Sequence, residues 1–340
     1  MGKGSVSGIL NLNKPVGKTS HQVVNEVRRA SGTRRVGHAG TLDPIACGVL
    51  PVCIGQATRI IEFLESQRKV YLAEIKMGVS TDTYDAEGKV TEVHDVSSLT
   101  QERIEEELRQ FRGNIEQTPP MFSAIKHQGT PLYRLARRGL DVQRMKRKVM
   151  IYRLDLLEWH SPLLTVEVEC SKGTYIRSLA HDIGQSLGCG AHLQGLIRLR
   201  NGIFDISDSM TIEEMRDAFQ QGYWQALVYP LDVAVLDWNA IIVGSNNEQA
   251  IRHGKYISFG ELTAIHSEQR TSPPSRADNG VPTHPDCNRD AIPTPRDAEG
   301  IGIGARSCRA YSSEGTIVGL LRQLPDEELW HPFKVFSVEG

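Results

Sequence analysis

Between residues 263 and 310 the chain has no Leu, Phe, Tyr, Trp or Met, while Pro, Ser, Asp, Asn and Arg are abundant. Such a stretch cannot bury enough apolar surface to offset the entropy of ordering it. It therefore predicts a disordered insertion, and the folded cores must come from the sequence on either side. At roughly 100–200 residues per domain, 340 residues suggest two domains. The character of the chain changes near residue 232, which places one domain at 1–232 and a second at 233–340, the latter interrupted by the insertion.

The first two thirds mix strand and helix signals. Residues 8–12 form a short apolar run, and Lys14-Pro15-Val16-Gly17 a turn. Thr19 or Ser20 then caps a helix that carries Val23, Val24 and Val27 on one face and ends at Gly32. Residues 70–77 alternate, with Tyr71, Ala73, Ile75 and Met77 on one side. Thr100 caps a helix bearing Ile104, Leu108 and Phe111. Leu164, Val166, Val168 and Cys170 mark a second alternating strand. Gly173 leads into a helix with Ile176, Leu179, Ile183 and Leu187, and Thr211 with Glu214 reads as a capping box. There is no strict strand–helix–strand period, so the class is α+β. Beyond residue 232, short strands with turn glycines at Gly254, Gly260, Gly315 and Gly319 predict a small β-rich domain.

Composition narrows the function. Lys plus Arg is 39 and Asp plus Glu 41, a formal net charge of -2. The balance hides a local asymmetry. Residues 126–153 hold nine Lys or Arg against Asp141 alone, a net of +8, whereas residues 81–116 hold ten acids against four bases. The first segment is built to meet polyanions. Within it, Tyr133, Arg134, Arg137 and Arg138 recur at helical spacing, setting an aromatic beside cations as RNA-binding grooves do. No apolar run approaches the ~18 residues of a spanning helix. The start, MGKGSVSGIL, lacks a secretory core, and Val6 stands where myristoylation requires Ser or Thr. The six cysteines form no C-x-x-C pair, in keeping with the cytoplasm.

Gly17-Lys18-Thr19 follows a strand and opens a helix, like the end of a phosphate-binding loop. That loop needs a glycine where this chain has Leu12, and Pro15 removes an N–H, so nucleotide hydrolysis is excluded. Gly300, Gly302 and Gly304 have the wrong spacing for a dinucleotide fingerprint, and no zinc ligand set is present. The informative stretch runs from Val36 to Leu50. Glycines flank His38, and Asp43-Pro44 precedes an apolar run. One imidazole and one carboxylate on a glycine-lined loop suit a planar polar ligand, with a single Asp as nucleophile or base.

That stretch, with Asn13 to Ser20 and Gly55-Gln56-Ala57-Thr58-Arg59, closely resembles the TruB family of tRNA pseudouridine synthases. Lys69-Val70-Tyr71, Gly78 to Gly88, Pro120 to Lys126, Ser171 to Arg177 and Leu196 to Arg200 extend the resemblance, in the family's order, over about residues 8–232. It implies a bent mixed sheet, largely antiparallel and flanked by helices, followed by a C-terminal PUA-like RNA-binding domain. The implied activity is conversion of the T-loop uridine of tRNA, position 55 in tRNA numbering, to pseudouridine, by a cytoplasmic monomer. No cofactor, metal or membrane is implied.

The resemblance also implies roles. Asp43 is the catalytic aspartate, Arg177 its paired arginine, and Tyr71 the tyrosine that stacks on the base and takes the C5 proton. Because the target base must leave its stack, His38 is expected to fill the space it vacates, and Tyr175 and Leu196 to contact the flipped base. Charge alone makes Lys14 and the basic region, Arg144 within it, candidates for phosphate contacts. Two other readings stand beside this one: a tRNA-binding protein that remodels the elbow without chemistry, and a guide-RNA-dependent synthase. Retention of Asp43, Tyr71 and Arg177 argues against the first, and the absence of Lys/Arg-rich tails against the second.

Overall fold

The computed structural model describes residues 7–258, 307–324 and 329–337. They divide into two units, Met1–Ala234 and Val235–Gly340. In the first, seven strands make up the main path of the sheet, the first, third and sixth of them where the sequence predicts strands: β1 (Gly8–Lys14), β2 (Ala46–Ile54), β3 (Lys69–Met77), β4 (Gly113–Gln117), β5 (Arg147–His160), β6 (Leu163–Cys170) and β7 (Ala191–Asn201). Their spatial order is β1-β2-β7-β3-β6-β5-β4, and Val36–His38 and Phe204–Asp205 complete a nine-stranded sheet. Only β2 and β7 among these neighbours run parallel. The rest are antiparallel, so the sheet is mixed and largely antiparallel.

The helices start where local chemistry directs. Thr19 caps α1 (Ser20–Ser31) through a capping box with Gln22, and Gly32 ends it in the left-handed conformation. Thr100 caps α2 (Gln101–Leu108), one turn shorter than its apolar spacing predicts. Phe111 falls instead in the 3-10 turn Arg109–Phe111, where it still packs against the core. α3 (Ile176–Ser186) and α4 (Ile212–Gln221) follow, the latter with the Thr211–Glu214 capping box. Val23, Val24 and Val27 of α1 and Leu179 and Ile183 of α3 join Leu50, Val52, Ala73, Ile75, Val166 and Val168 of the sheet in one buried cluster. Each Val, Leu or Ile among them contributes about 1.5–3 kcal/mol of transfer free energy.

An arm of residues 118–146 leaves the sheet between β4 and β5. It carries a small hairpin, Lys126–His127 against Thr130–Pro131, and a one-turn helix, Leu132–Ala136. The helix stops before Arg137. Even so, the Arg134 and Arg137 guanidinium carbons lie 6.0 and 5.5 Å from the Tyr133 ring centre, so the expected pairing of aromatic and cations is present.

The second unit is β-rich. Strands β8 (Asn239–Ile242), β9 (Ile257–Ser258), β10 (Ser307–Tyr311), β11 (Ile317–Gln323) and β12 (Leu329–Val335) form a sheet in the order β8-β10-β11-β12-β9. Helix α5 (Ser245–Arg252) contributes Ile251 to a core with Ile241, Val243, Cys308, Ala310, Val318 and Leu321. The inserted segment expected at 263–310 lies outside the described residues as far as 306, but its boundary needs correction. Residues 307–310 belong to β10, hydrogen-bonded to β8 on one side and β11 on the other. Small apolar side chains, Cys308 and Ala310, suffice for burial there because the strand is central, so the missing Leu and aromatics gave no warning.

Candidate active site

Asp43 sits on the loop between the short strand Val36–His38 and β2, and three ties shape that loop. Gly40 turns at φ +89°. Ser20, at the start of α1, donates its hydroxyl to Leu42 O (3.0 Å) and accepts from Leu42 N–H (2.9 Å). Gly17 N–H donates to Pro44 O at 2.8 Å. The loop is therefore held on both sides of Asp43.

Arg177, in the first turn of α3, meets it. Nε lies 3.0 Å from Asp43 Oδ2, an ion pair off the line of a good hydrogen bond. Nη1 donates to Asp85 Oδ2 at 3.1 Å, and Nη2 to Phe122 O at 2.8 Å. The arginine side chain is 6% exposed, that of Asp85 5% and that of Asp43 38%. One buried cation thus faces two carboxylates, only one of which opens toward solvent. A cation in the first turn of a helix opposes the helix dipole, and the two carboxylates supply its compensation. Asp85 is held in turn by the Thr83 hydroxyl (2.6 Å) and the Glu87 N–H (3.1 Å). Burial pushes the Asp43 carboxyl above the usual range, Arg177 opposes that rise, and the like charge of Asp85 adds to it.

Tyr71 faces inward from β3, opposite Val168 on β6 and Arg198 on β7. Burial raises the pKa of its phenol, and the charge of the neighbouring Arg198 guanidinium pulls the other way. Leu196 lies in the same apolar cluster as Tyr71 and Leu42, and its strand neighbours are Ala46 and Ala73. Tyr175 is half-buried at the N-cap of α3; its N–H donates to Gln117 Oε1 (3.1 Å) and its carbonyl accepts from Gln117 Nε2 (3.3 Å). His38 is half-buried, with Nδ1 sealed from solvent and without a hydrogen-bond partner. Burial, then Arg198 and His21, depress its proton affinity, so it stays neutral at physiological pH.

Two expected phosphate contacts are placed elsewhere. Lys14 is fully buried, its ammonium donating to Pro15 O (2.9 Å) and Lys18 O (2.5 Å), and burial lowers its pKa to about 8. It closes the turn before α1 rather than reaching for RNA. Arg144 is largely covered, donating to Pro119 O at 3.2 Å and lying 3.8 Å from Asp141. It lines a cavity of about 420 Å³ with Tyr84, Phe122, Leu140 and His181. Among the described residues, no group of His, Cys, Asp and Glu could hold a metal ion, and no helix is long and apolar enough to cross a membrane.

Sequence reasoning missed Asp85 and Arg198. Asp85 was hidden among the acids of 81–116. Arg198 carried a readable signal, because it alternates with Leu196 and so points inward, where a charged residue is unusual.

Comparison with known proteins places the chain as a whole. Residues 28–176 match the TruB family pseudouridylate synthase N-terminal domain, and residues 177–236 the tRNA pseudouridylate synthase B C-terminal domain. The chain is 40% identical over 331 residues to tRNA pseudouridine synthase B of Dehalococcoides mccartyi strain CBDB1, covering 97% of each chain. It is 49% identical over 208 residues to the protein of that name from Syntrophotalea carbinolica, covering 61% of this chain and 68% of the relative. In fold it is similar to a chain from the crystal structure of a Cbf5-Nop10-Gar1 complex, with TM-score 0.68 and 24% identity over 98% of this chain and 85% of that one. The chain belongs to the TruB family of pseudouridylate synthases.

Proposed function

We propose that this chain isomerises the T-loop uridine of tRNA, position 55, to pseudouridine, acting as a cytoplasmic monomer without cofactor, with Asp43 as the catalytic residue. The observation that carries the reading is the Asp43–Arg177–Asp85 arrangement, in which one fixed charge orients a carboxylate whose open side faces solvent. In the reaction the N1–C1′ bond breaks, the uracil turns over, a C5–C1′ bond forms, the C5 proton leaves and N1 gains one. Atoms balance, and no redox partner is needed.

Asp43 acts in its ionised form at the junction of sugar and base, as a nucleophile toward either or as a base on the sugar. Arg177 favours that ionised form against the cost of burial. The Tyr71 ring stacks on the flipped base, with its phenol at the C5 proton. Leu196 and the half-buried Tyr175 bound the base, and the neutral His38 ring occupies the stack it leaves. The exposed cations of the 118–146 arm meet the phosphates of the T arm. The β-rich unit from Val235 onward serves as a PUA-like RNA-binding domain.

The test is tritium release from tRNA labelled at uridine C5, with wild type and Asp43→Asn in parallel. About one equivalent per tRNA from wild type and none from the variant is expected for a single-site reaction. Tight tRNA binding without release from either protein would instead identify an RNA-remodelling protein.

A further inference from the structure

Arg198 is a cation sealed in the protein, 1% exposed, and among the described residues its charge is met by carbonyl oxygens rather than by a carboxylate. Burying a charge on such terms is costly, and the inward position beside Leu196 could have been filled by an apolar side chain. What the guanidinium touches explains its presence. Nε donates to Val49 O on β2 at 2.6 Å, and Nη2 donates to Gly40 O at 3.0 Å, three residues before Asp43. The direct cross-strand partner of Arg198 on β3 is Tyr71, whose side chain stands on the same face of the sheet. A planar fork of five N–H groups can hold two carbonyls and face a neighbouring phenol in fixed relation, which a lysine ammonium cannot.

The chain makes room for this fork. A Cβ on Gly48 would sit 2.3 Å from the Arg198 carbonyl, so only glycine lets β2 approach β7 so closely. A Cβ on Gly40 would lie 3.4 Å from Arg198 Nη1. Both glycines have positive φ, +98° and +89°. Asn201, three residues along β7, donates to Ala39 O at 3.0 Å, but its cross-strand partner on β3 is Lys69 rather than Tyr71.

We infer that Arg198 is a positioning residue of the isomerase site, holding the Asp43 loop and the Tyr71 phenol at a fixed separation through one guanidinium. The inference rests on the function proposed above. It goes beyond it in tying two reacting groups, one on a loop and one on a strand, to a third residue that touches no substrate.

The experiment compares wild type, Arg198→Lys, Arg198→Met and Asn201→Ala in single-turnover tritium release with enzyme in excess, together with tRNA affinity by filter binding and thermal melting. Misplacement by about 1 Å costs on the order of a hundredfold in rate, so Arg198→Met should slow release by about that factor with tRNA affinity within about twofold of wild type. Arg198→Lys keeps the charge without the fork and should lose roughly tenfold. Asn201→Ala removes a loop tie alone and should stay within about threefold while also melting earlier. If Arg198→Met fails to fold, the comparison of Arg198→Lys with Asn201→Ala decides. Arg198 variants that lose no more rate per folded molecule than Asn201→Ala would overturn the inference. A wild type that binds tRNA but releases no tritium would instead overturn the proposed function, which separates the two failures.

Discussion

The cations of this protein fall into two populations. In the floor of the first unit, Arg177 and Arg198 are almost fully buried, the first donating to Asp85 Oδ2 and Phe122 O and the second to Val49 O and Gly40 O. On the 118–146 arm, Arg134, Arg137 and Arg138 are largely open to solvent, the first two grouped around Tyr133. Charge in the floor acts across a few ångströms at low effective dielectric and sets geometry and protonation. Charge on the arm is screened beyond about 8–10 Å and acts as a field for a polyanion. Under the proposed function the same residue type serves chemistry in one place and attraction in the other, and burial decides which.

Experiments can break that division. The largest effect should come from Asp43→Asn, which removes the one carboxylate facing both Arg177 and solvent: turnover should fall by about a thousandfold or more, with tRNA affinity retained. Stability should not fall with it. The folded pKa of Asp43 is raised by burial, so this group favours folding while protonated at acid pH, and that contribution is lost as pH rises through the folded value. A chemical denaturation series at neutral pH that finds Asp43→Asn clearly less stable would contradict this account.

Arg177→Met should act on both stability and rate. It leaves the buried Asp85 carboxylate without its cation, a loss of about 3–5 kcal/mol for breaking a buried pair. Urea midpoints for Arg177→Met and for the double variant Arg177→Met/Asp85→Leu test it. The double variant should recover much of the stability and none of the activity.

The pH–rate profile offers a middle-sized effect. Activity needs ionised Asp43, and its raised pKa means that the acid limb should lie above the ordinary carboxylate value of 3.8. Single-turnover tritium release between pH 4 and 8 reads it. A limb at or below the ordinary value would show that Arg177 outweighs burial.

The arm should give the smallest and most salt-dependent change. Arg137→Ala is expected to weaken tRNA binding a few-fold and reduce the salt slope of log K by about 1, with single-turnover rate unchanged. Lys14→Met serves as its counterpart from the buried population. It should lower the melting temperature and leave the salt slope alone, because the Lys14 ammonium is spent on Pro15 O and Lys18 O. A salt slope altered by Lys14→Met would return it to the phosphate-binding set.

Much of this molecule was legible before any coordinates. Alternation over 70–77 and 164–170 put Tyr71 and Val168 on inward faces, where they pair across β3 and β6. Thr19, Thr100 and Thr211 marked their helix starts through side-chain caps that need only local sequence. The Asp43 loop stood out for its glycines and its single carboxylate, and family likeness supplied Arg177 as its partner. What misled was charge read without burial: Lys14 counted as a surface cation and is fully enclosed. The edge of the insertion misled for a related reason, since 307–310 are buried by their strand neighbours rather than by their own bulk.

The sequence by itself therefore determined the α+β class, the helix caps and the inward faces of the strands, and singled out the Asp43 loop as the candidate for chemistry. Each depends on interactions within about ten residues or on a pattern repeated along one element. Only the tertiary structure decided that Asp85 shares Arg177 with Asp43, that Arg198 holds the Gly40 carbonyl while standing opposite Tyr71, and that Lys14 is sealed while the arm cations are not. Those pairings bring together groups many residues apart, and their strength depends on how much water the fold excludes, which no local pattern records.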